Sequence, residues 1–112
     1  MEGLPPWPAT IRVGYLTYRI VAVSAMVATG KDIFGECDNC LYEIRLREDL
    51  EPVKAANTML HEVLHACWYV GGIADDDKEE RTVRFLSNML SQVWRDNPEW
   101  ASAMQSRLTE QP

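Results

Sequence analysis

The sequence predicts an α+β fold, a small antiparallel or mixed sheet from the N-terminal half packed on two consecutive helices. Three observations predict it. Between Thr10 and Val23 β-branched and aromatic residues dominate, among them Ile11, Val13, Tyr15, Tyr18, Ile20 and Val23. Pro52 and the pair Gly71-Gly72 bracket a helix-compatible run, since proline suits the first helical position and glycine the residue past the last. Beyond it Val83, Leu86, Leu90, Val93 and Trp94 recur at i, i+3, i+7, i+10 and i+11, the stripe of a helix that faces a core. A chain of 112 residues fits one domain with one core.

Leu4-Pro5-Pro6-Trp7-Pro8 can hold neither a helix nor a central strand, so residues 1–9 read as an extended arm. Thr10 to Val23 reads as one long bent strand or two short strands meeting near Gly14, because Ile11, Val13 and Tyr15 alternate with Arg12 and Gly14. Ser24 to Thr29 is open between strand and a short helical turn, and Gly30-Lys31-Asp32 reads as a loop. A hairpin follows, Phe34 to Cys37 leading into a two-residue turn at Asp38-Asn39 and Cys40 to Leu46 leading out. Charged alternation in the second arm predicts an edge strand with one wet side. Helices are predicted from Pro52 to Val70 and from about Asp77 to Asp96, the latter capped by Asp75-Asp76-Asp77. Asn97-Pro98 then reads as N-cap and N1 of a last helix to about Leu108. The order is four strands, then three helices, with no internal repeat and no linker.

Charge narrows the partners. A net charge of −6 argues against a nucleic-acid backbone or an anionic membrane as the main partner and weakly favours basic or neutral polypeptide segments. The chain opens on no basic region followed by an apolar core, and its longest apolar run, Ile20 to Ala28, is too short to span a bilayer. Three cysteines are an odd count that fits a reduced setting, so the expected compartment is cytoplasm.

The chemistry sits in His61-Glu62-Val63-Leu64-His65. Residues four apart on a helix share one face, so His61 and His65 present two imidazoles to a single point, with Glu62 projecting beside it. Two imidazoles and an adjacent carboxylate are two ligands for a catalytic zinc and a base for its water. The chain has only these two histidines. A helical face carrying His and Glu without a metal is the bland alternative, but Met59-Leu60, Val63-Leu64 and Ala66-Cys67-Trp68 are not the composition of a bare solvated face. A third ligand has to come from another element. Glu79 and Glu80, 14 and 15 residues after His65, open the following helix and come back within reach of it across a short Gly-rich turn.

The run Thr58-Met59-Leu60-His61-Glu62-Val63-Leu64-His65-Ala66 resembles the T-L-L-H-E-x-x-H-A of minimal gluzincin metallopeptidases and of small HExxH proteins of phages. Phe34-Gly35, an aromatic-Gly pair before an upstream strand, adds to the likeness, which spans about residues 33 to 94. The resemblance implies a zincin-like fold, bound Zn²⁺, and a zinc-dependent endopeptidase acting on a protein or peptide in the cytoplasm, a host's if the chain is phage-encoded. It implies His61, His65 and a glutamate as ligands and Glu62 as general base. In the family the ligand glutamate is followed by apolar residues at fixed offsets. Glu80 gives Val83, Leu86 and Ser87 there, and Glu79 gives Thr82, Phe85 and Leu86, which favours Glu80. The helical wheel puts Glu79 nearer the middle of the apolar stripe. Arg84 stands where the family has Asp or Asn.

Candidates for a second oxyanion donor are Tyr69, Tyr42 and Arg84. By the same resemblance the strand around Leu41 to Leu46 would hold an extended substrate by strand addition. Cys37 and Cys40 would flank the hairpin turn, and they and Cys67 read as small core residues rather than a metal or redox site. Two alternatives accompany the peptidase: a catalytically silent zinc-binding interaction module, and a latent enzyme whose cleft is filled by Leu4-Pro5-Pro6-Trp7 or by the tail from Arg107 to Pro112.

Overall fold

The computed structural model describes residues 3–24, 27–28, 31–74 and 76–110. The architecture is α+β, a four-stranded mixed sheet with three helices after it. Strands β1 (Thr10–Val13) and β2 (Leu16–Val23) form a hairpin, so the region divides into two strands at Gly14. Gly14 has φ +61° and Tyr15 does not turn positive, the combination of a type II′ hairpin. A Cβ at Gly14 would also come within 2.5 Å of Val70 Cγ1, so the turn needs glycine for space as well as for conformation.

Val27–Ala28 (β3) and Lys31–Asp32 (β4) pair antiparallel as a small separate ribbon. This corrects the loop expected at Gly30-Lys31-Asp32, of which Gly30 lies outside the described residues.

Strands β5 (Gly35–Asp38) and β6 (Glu43–Arg47) form the expected hairpin, but with a four-residue connection, Asn39 to Tyr42, in place of a two-residue turn. Asp38 explains the difference. Its Oδ1 accepts the N–H groups of both Cys40 and Leu41 at 2.9 Å, and Tyr42 takes φ +54° to re-enter the strand. Strand order is β1-β2-β6-β5, with β6 parallel to β2 in the register Ile20↔Ile44. The strand expected at the edge is therefore interior, and β5 is the edge. Its charges are met inside the sheet, where Arg45 pairs with Glu36, Glu43 and Asp38, and Arg19 pairs with Glu43. Charged alternation marked a wet face, not an edge.

Helices α1 (Pro52–Val70), α2 (Glu79–Asp96) and α3 (Pro98–Leu108) follow. α1 crosses the other face of the sheet, where Val13, Tyr18, Ile44 and Leu46 meet Met59 and Ala66 in the core. Full burial of an aliphatic side chain such as Ile44 stabilises by about 1.5–3 kcal/mol. α2 packs against α1 through Val83 and Ser87, both buried. The expected stripe is off-centre: Leu86 is 37% and Trp94 48% exposed, because α2 has helices rather than a sheet beside it and buries only a narrow seam. Asp76 accepts the Lys78 N–H at 2.8 Å just before α2, which begins two residues later than expected. No helix among the described residues is long and apolar enough to cross a membrane.

Candidate metal centre

The second half of α1 projects His61 and His65 from one face, their rings 4.9 Å apart and edge-on at 66°. The two Nε2 atoms stand 3.2 Å apart. α2 returns from the Gly71-Gly72 turn with its first residues against them. Glu80 places Oε1 2.9 Å from His61 Nε2 and Oε2 2.8 Å from His65 Nε2. One donor atom from each residue lies within 4.8 Å of the others, and among the described residues this is the group of His, Cys, Asp or Glu that could hold a metal ion. The separations lie slightly inside the roughly 3.4 Å edge of a tetrahedron with bonds near 2.1 Å, so these residues fit a four-coordinate zinc with little movement.

The two adjacent glutamates do different things. Glu80 faces the Nε2 side, while Glu79 Oε2 lies 2.6 Å from His65 Nδ1 on the far side of the ring. A carboxylate on the outer nitrogen fixes the tautomer and the plane of a ligating imidazole. Burial opposes protonation of His65, but its hydrogen bonds to Glu79 and Glu80 outweigh this and raise its pKa. Burial lowers the pKa of His61. Arg84 Nη2 lies 3.4 Å from Glu80 Oε1, an exposed pair one helical turn apart on the carboxylate facing the imidazoles.

Glu62 is 7% exposed and lies between α1 and the edge strand β5. Burial pushes its carboxyl pKa up to about 7, with Glu80 and Glu36 adding and His65 opposing. The strand approaches this closely only because of Gly35. A Cβ there would lie 2.7 Å from Thr58 Cγ2 and 3.3 Å from Glu62 Cγ.

Cavities of about 740 and 390 Å³ open on either side of the site, and both are lined by Gly35, His61, Glu62 and Glu80. The larger reaches Phe34, whose ring carries Lys54 Nζ at 3.8 Å from its centroid. It ends at Asn57 and Asn88, which bridge α1 to α2 by a 3.0 Å hydrogen bond. Beyond that bridge a third cavity, about 690 Å³ and mostly apolar, runs between Val53, Met59, Leu60, Val63 and Trp94.

Not every expected residue arrives here. Of the three oxyanion candidates only Arg84 lines a cavity at the site. Tyr42 sits edge-on to Tyr18 at 5.8 Å, and Tyr69 is 48% exposed on the last turn of α1. Among the described residues neither terminus lines the two cavities at the site: Leu4 to Trp7 border a cavity over Ile20, Leu46 and Leu50, Trp7 also lines the apolar cavity beyond the Asn57–Asn88 bridge, and of the tail from Arg107 to Pro112 the last two residues lie outside the described ones. All three cysteines are free. Cys37 is half-buried against the core, and burial, with Glu62 and Asp38 adding, pushes its thiol up to about 12. Cys40 is exposed in the hairpin connection rather than across the ladder, and Cys67 is exposed rather than core.

Sequence reasoning missed Glu79 as the support of His65, the Asn57–Asn88 bridge, and the reason for Gly35. Only Gly35 left a signal, a glycine inside a strand, which marks a close approach. No protein-family model, curated protein or solved structure matches the chain.

Proposed function

We propose that the chain is a zinc-dependent endopeptidase of the gluzincin type, hydrolysing peptide bonds in extended polypeptide segments. The observation that supports this most is the convergence of His61, His65 and Glu80 beside a buried Glu62, in a cleft open on both sides. Zinc held by those three residues would supply a Lewis acid and a water of lowered pKa at its open position.

The chain's own residues supply the rest. Glu62 accepts the proton of the attacking water and delivers it to the leaving amine. Glu79 orients His65, and Arg84 holds Glu80 in place. The outer edge of β5, which no other described strand pairs, offers backbone donors and acceptors to an extended substrate, the role expected earlier of the strand around Leu41 to Leu46. A substrate passing over the Asn57–Asn88 bridge reaches the apolar cavity, which favours segments with bulky apolar residues on one side of the cut bond.

Glu62→Gln tests the reading. The variant keeps its metal and loses cleavage of an unstructured protein such as β-casein, by at least about a hundredfold for a lost general base. Equal behaviour of wild type and Glu62→Gln on every substrate would favour the zinc-binding interaction module instead.

A further inference from the structure

The two cavities that flank the metal centre differ in charge. The smaller is lined by Glu36 and Glu79 besides the residues of the centre, and by no lysine or arginine. In the larger, of about 740 Å³, the ionisable residues away from His61, Glu62 and Glu80 are Lys54 and Arg84. Lys54 has no carboxylate partner among the described residues. Its Nζ stands 3.8 Å from the centroid of Phe34, on the wall of the cavity.

The neutral polar groups here add donors. Asn57 Nδ2 donates to Asn88 Oδ1, which leaves the Nδ2 hydrogens of Asn88 without an acceptor among the described residues. Arg84 makes one 3.4 Å contact with Glu80 Oε1, while its guanidinium carries several further N–H donors. Two cations and an unengaged amide line one cavity that holds no anion beyond the metal centre. That set is complementary to a carboxylate.

Helix geometry says where along a substrate that carboxylate would fall. Lys54 precedes His61 by seven residues on α1, and Arg84 follows Glu80 by four on α2. At about 1.5 Å per residue these are roughly 10 and 6 Å along the helix axes. An extended chain advances about 3.3 Å per residue, so the carboxylate lies roughly two or three residues from the cut bond. Antiparallel strand pairing is the more stable kind. A substrate antiparallel to β5 has its C-terminal side over Phe34 and Gly35, where this cavity lies. We propose that the cavity bounded by Phe34, Lys54, Arg84 and Asn88 is the subsite for a substrate carboxylate on the C-terminal side of the cut bond, from an acidic side chain or from the substrate's own C-terminus. The course of the substrate along β5 rests on the peptidase reading; the charge of the cavity does not.

Equilibrium binding of peptides to Glu62→Gln tests the subsite apart from cleavage. The probes are a neutral peptide blocked at both ends, the same peptide with Glu near its C-terminus or near its N-terminus, and the neutral peptide with a free C-terminal carboxylate. Glu near the C-terminus is expected to tighten binding several-fold over the neutral peptide at low ionic strength, and less as salt is added. Glu near the N-terminus is expected to give no gain. A gain from the free carboxylate without one from Glu assigns the substrate's C-terminus as the source. Lys54→Glu in the same background reverses the preference, and Lys54→Gln reduces it, which decides the matter if Lys54→Glu fails to fold. Equal affinity for the neutral and carboxylate-bearing peptides, a gain only from Glu near the N-terminus, or a preference that survives both Lys54 substitutions would overturn the proposal. If wild type cuts none of these peptides while the preference holds, the peptidase reading fails and the subsite stands.

Discussion

Two neighbouring glutamates separated by one helical step reach opposite nitrogens of the same imidazole. Consecutive helix residues differ by about 100° in direction. Glu80 thereby meets the His61–His65 pair while Glu79 meets His65 from behind. Their substitutions are expected to differ. If Glu80 is a ligand as proposed, Glu80→Gln removes it, whereas Glu79→Gln leaves the proposed ligand set intact and weakens metal affinity by about 10–100-fold. Competition with a zinc-sensing chelator separates the two. Gly35 gives a second test at this scale. Gly35→Ala costs about 1–3 kcal/mol of stability through overpacking, and adding Thr58→Ser, which removes the Cγ2 at 2.7 Å, recovers part of it. Denaturant unfolding of the single and double variants measures both. The resemblance favoured Glu80 as third ligand and the helical wheel Glu79, and neither reading placed Glu79 behind His65. The side of the ring each reaches depends on how α2 sits across α1.

The ends of α1 and α3 were legible in local chemistry, while α2 begins two residues later than its acidic cap suggested. α1 runs from Pro52 to Val70 and α3 from Pro98 to Leu108 as Pro52, Gly71 and Asn97-Pro98 require. What was not legible is pairing at a distance. Nothing local to Glu43–Arg47 says that its second neighbour is β2, parallel and two dozen residues away, so its charges read as an edge. The β5–β6 connection was misread for a related reason: Asp38 and Asn39 look like a two-residue turn until Asp38 captures two amides further on. Those hydrogen bonds, from Leu41 and then Cys40, hold the Asp38 carboxyl below its ordinary value, and Arg45 adds to this. The sign follows directly. A depressed folded-state pKa contributes stability that is complete above about pH 4 and is lost as pH falls through the depressed value. Urea unfolding of Asp38→Asn is therefore expected to show a shallower loss of stability from about pH 4 downward than wild type.

At the scale of the molecule, the sheet and α1 form one core and α2 is joined to it by a narrow seam. The candidate ligands His61, His65 and Glu80 come from both sides of that seam, so a bound ion would tie the two parts together. Metal at about 1,000 times its dissociation constant then adds about 4 kcal/mol to the unfolding free energy, seen as a drop in melting temperature on adding EDTA. An unchanged melting temperature would mean that no ion links α1 to α2. The net charge of −6 belongs to this scale too. With Glu36, Glu79 and Glu80 around the cleft, a substrate of the proposed peptidase would be basic or neutral rather than acidic there. The α+β class was readable from composition and periodicity alone. The exposure of α3 was not, because the cap residues that mark where a helix starts say nothing of what it packs on.

Zinc content measured by plasma emission on purified wild type, His65→Ala and Glu80→Gln bears most directly on the centre. The account predicts about one zinc per chain in wild type and loss of bound zinc in both variants. Full zinc retention by His65→Ala would contradict it.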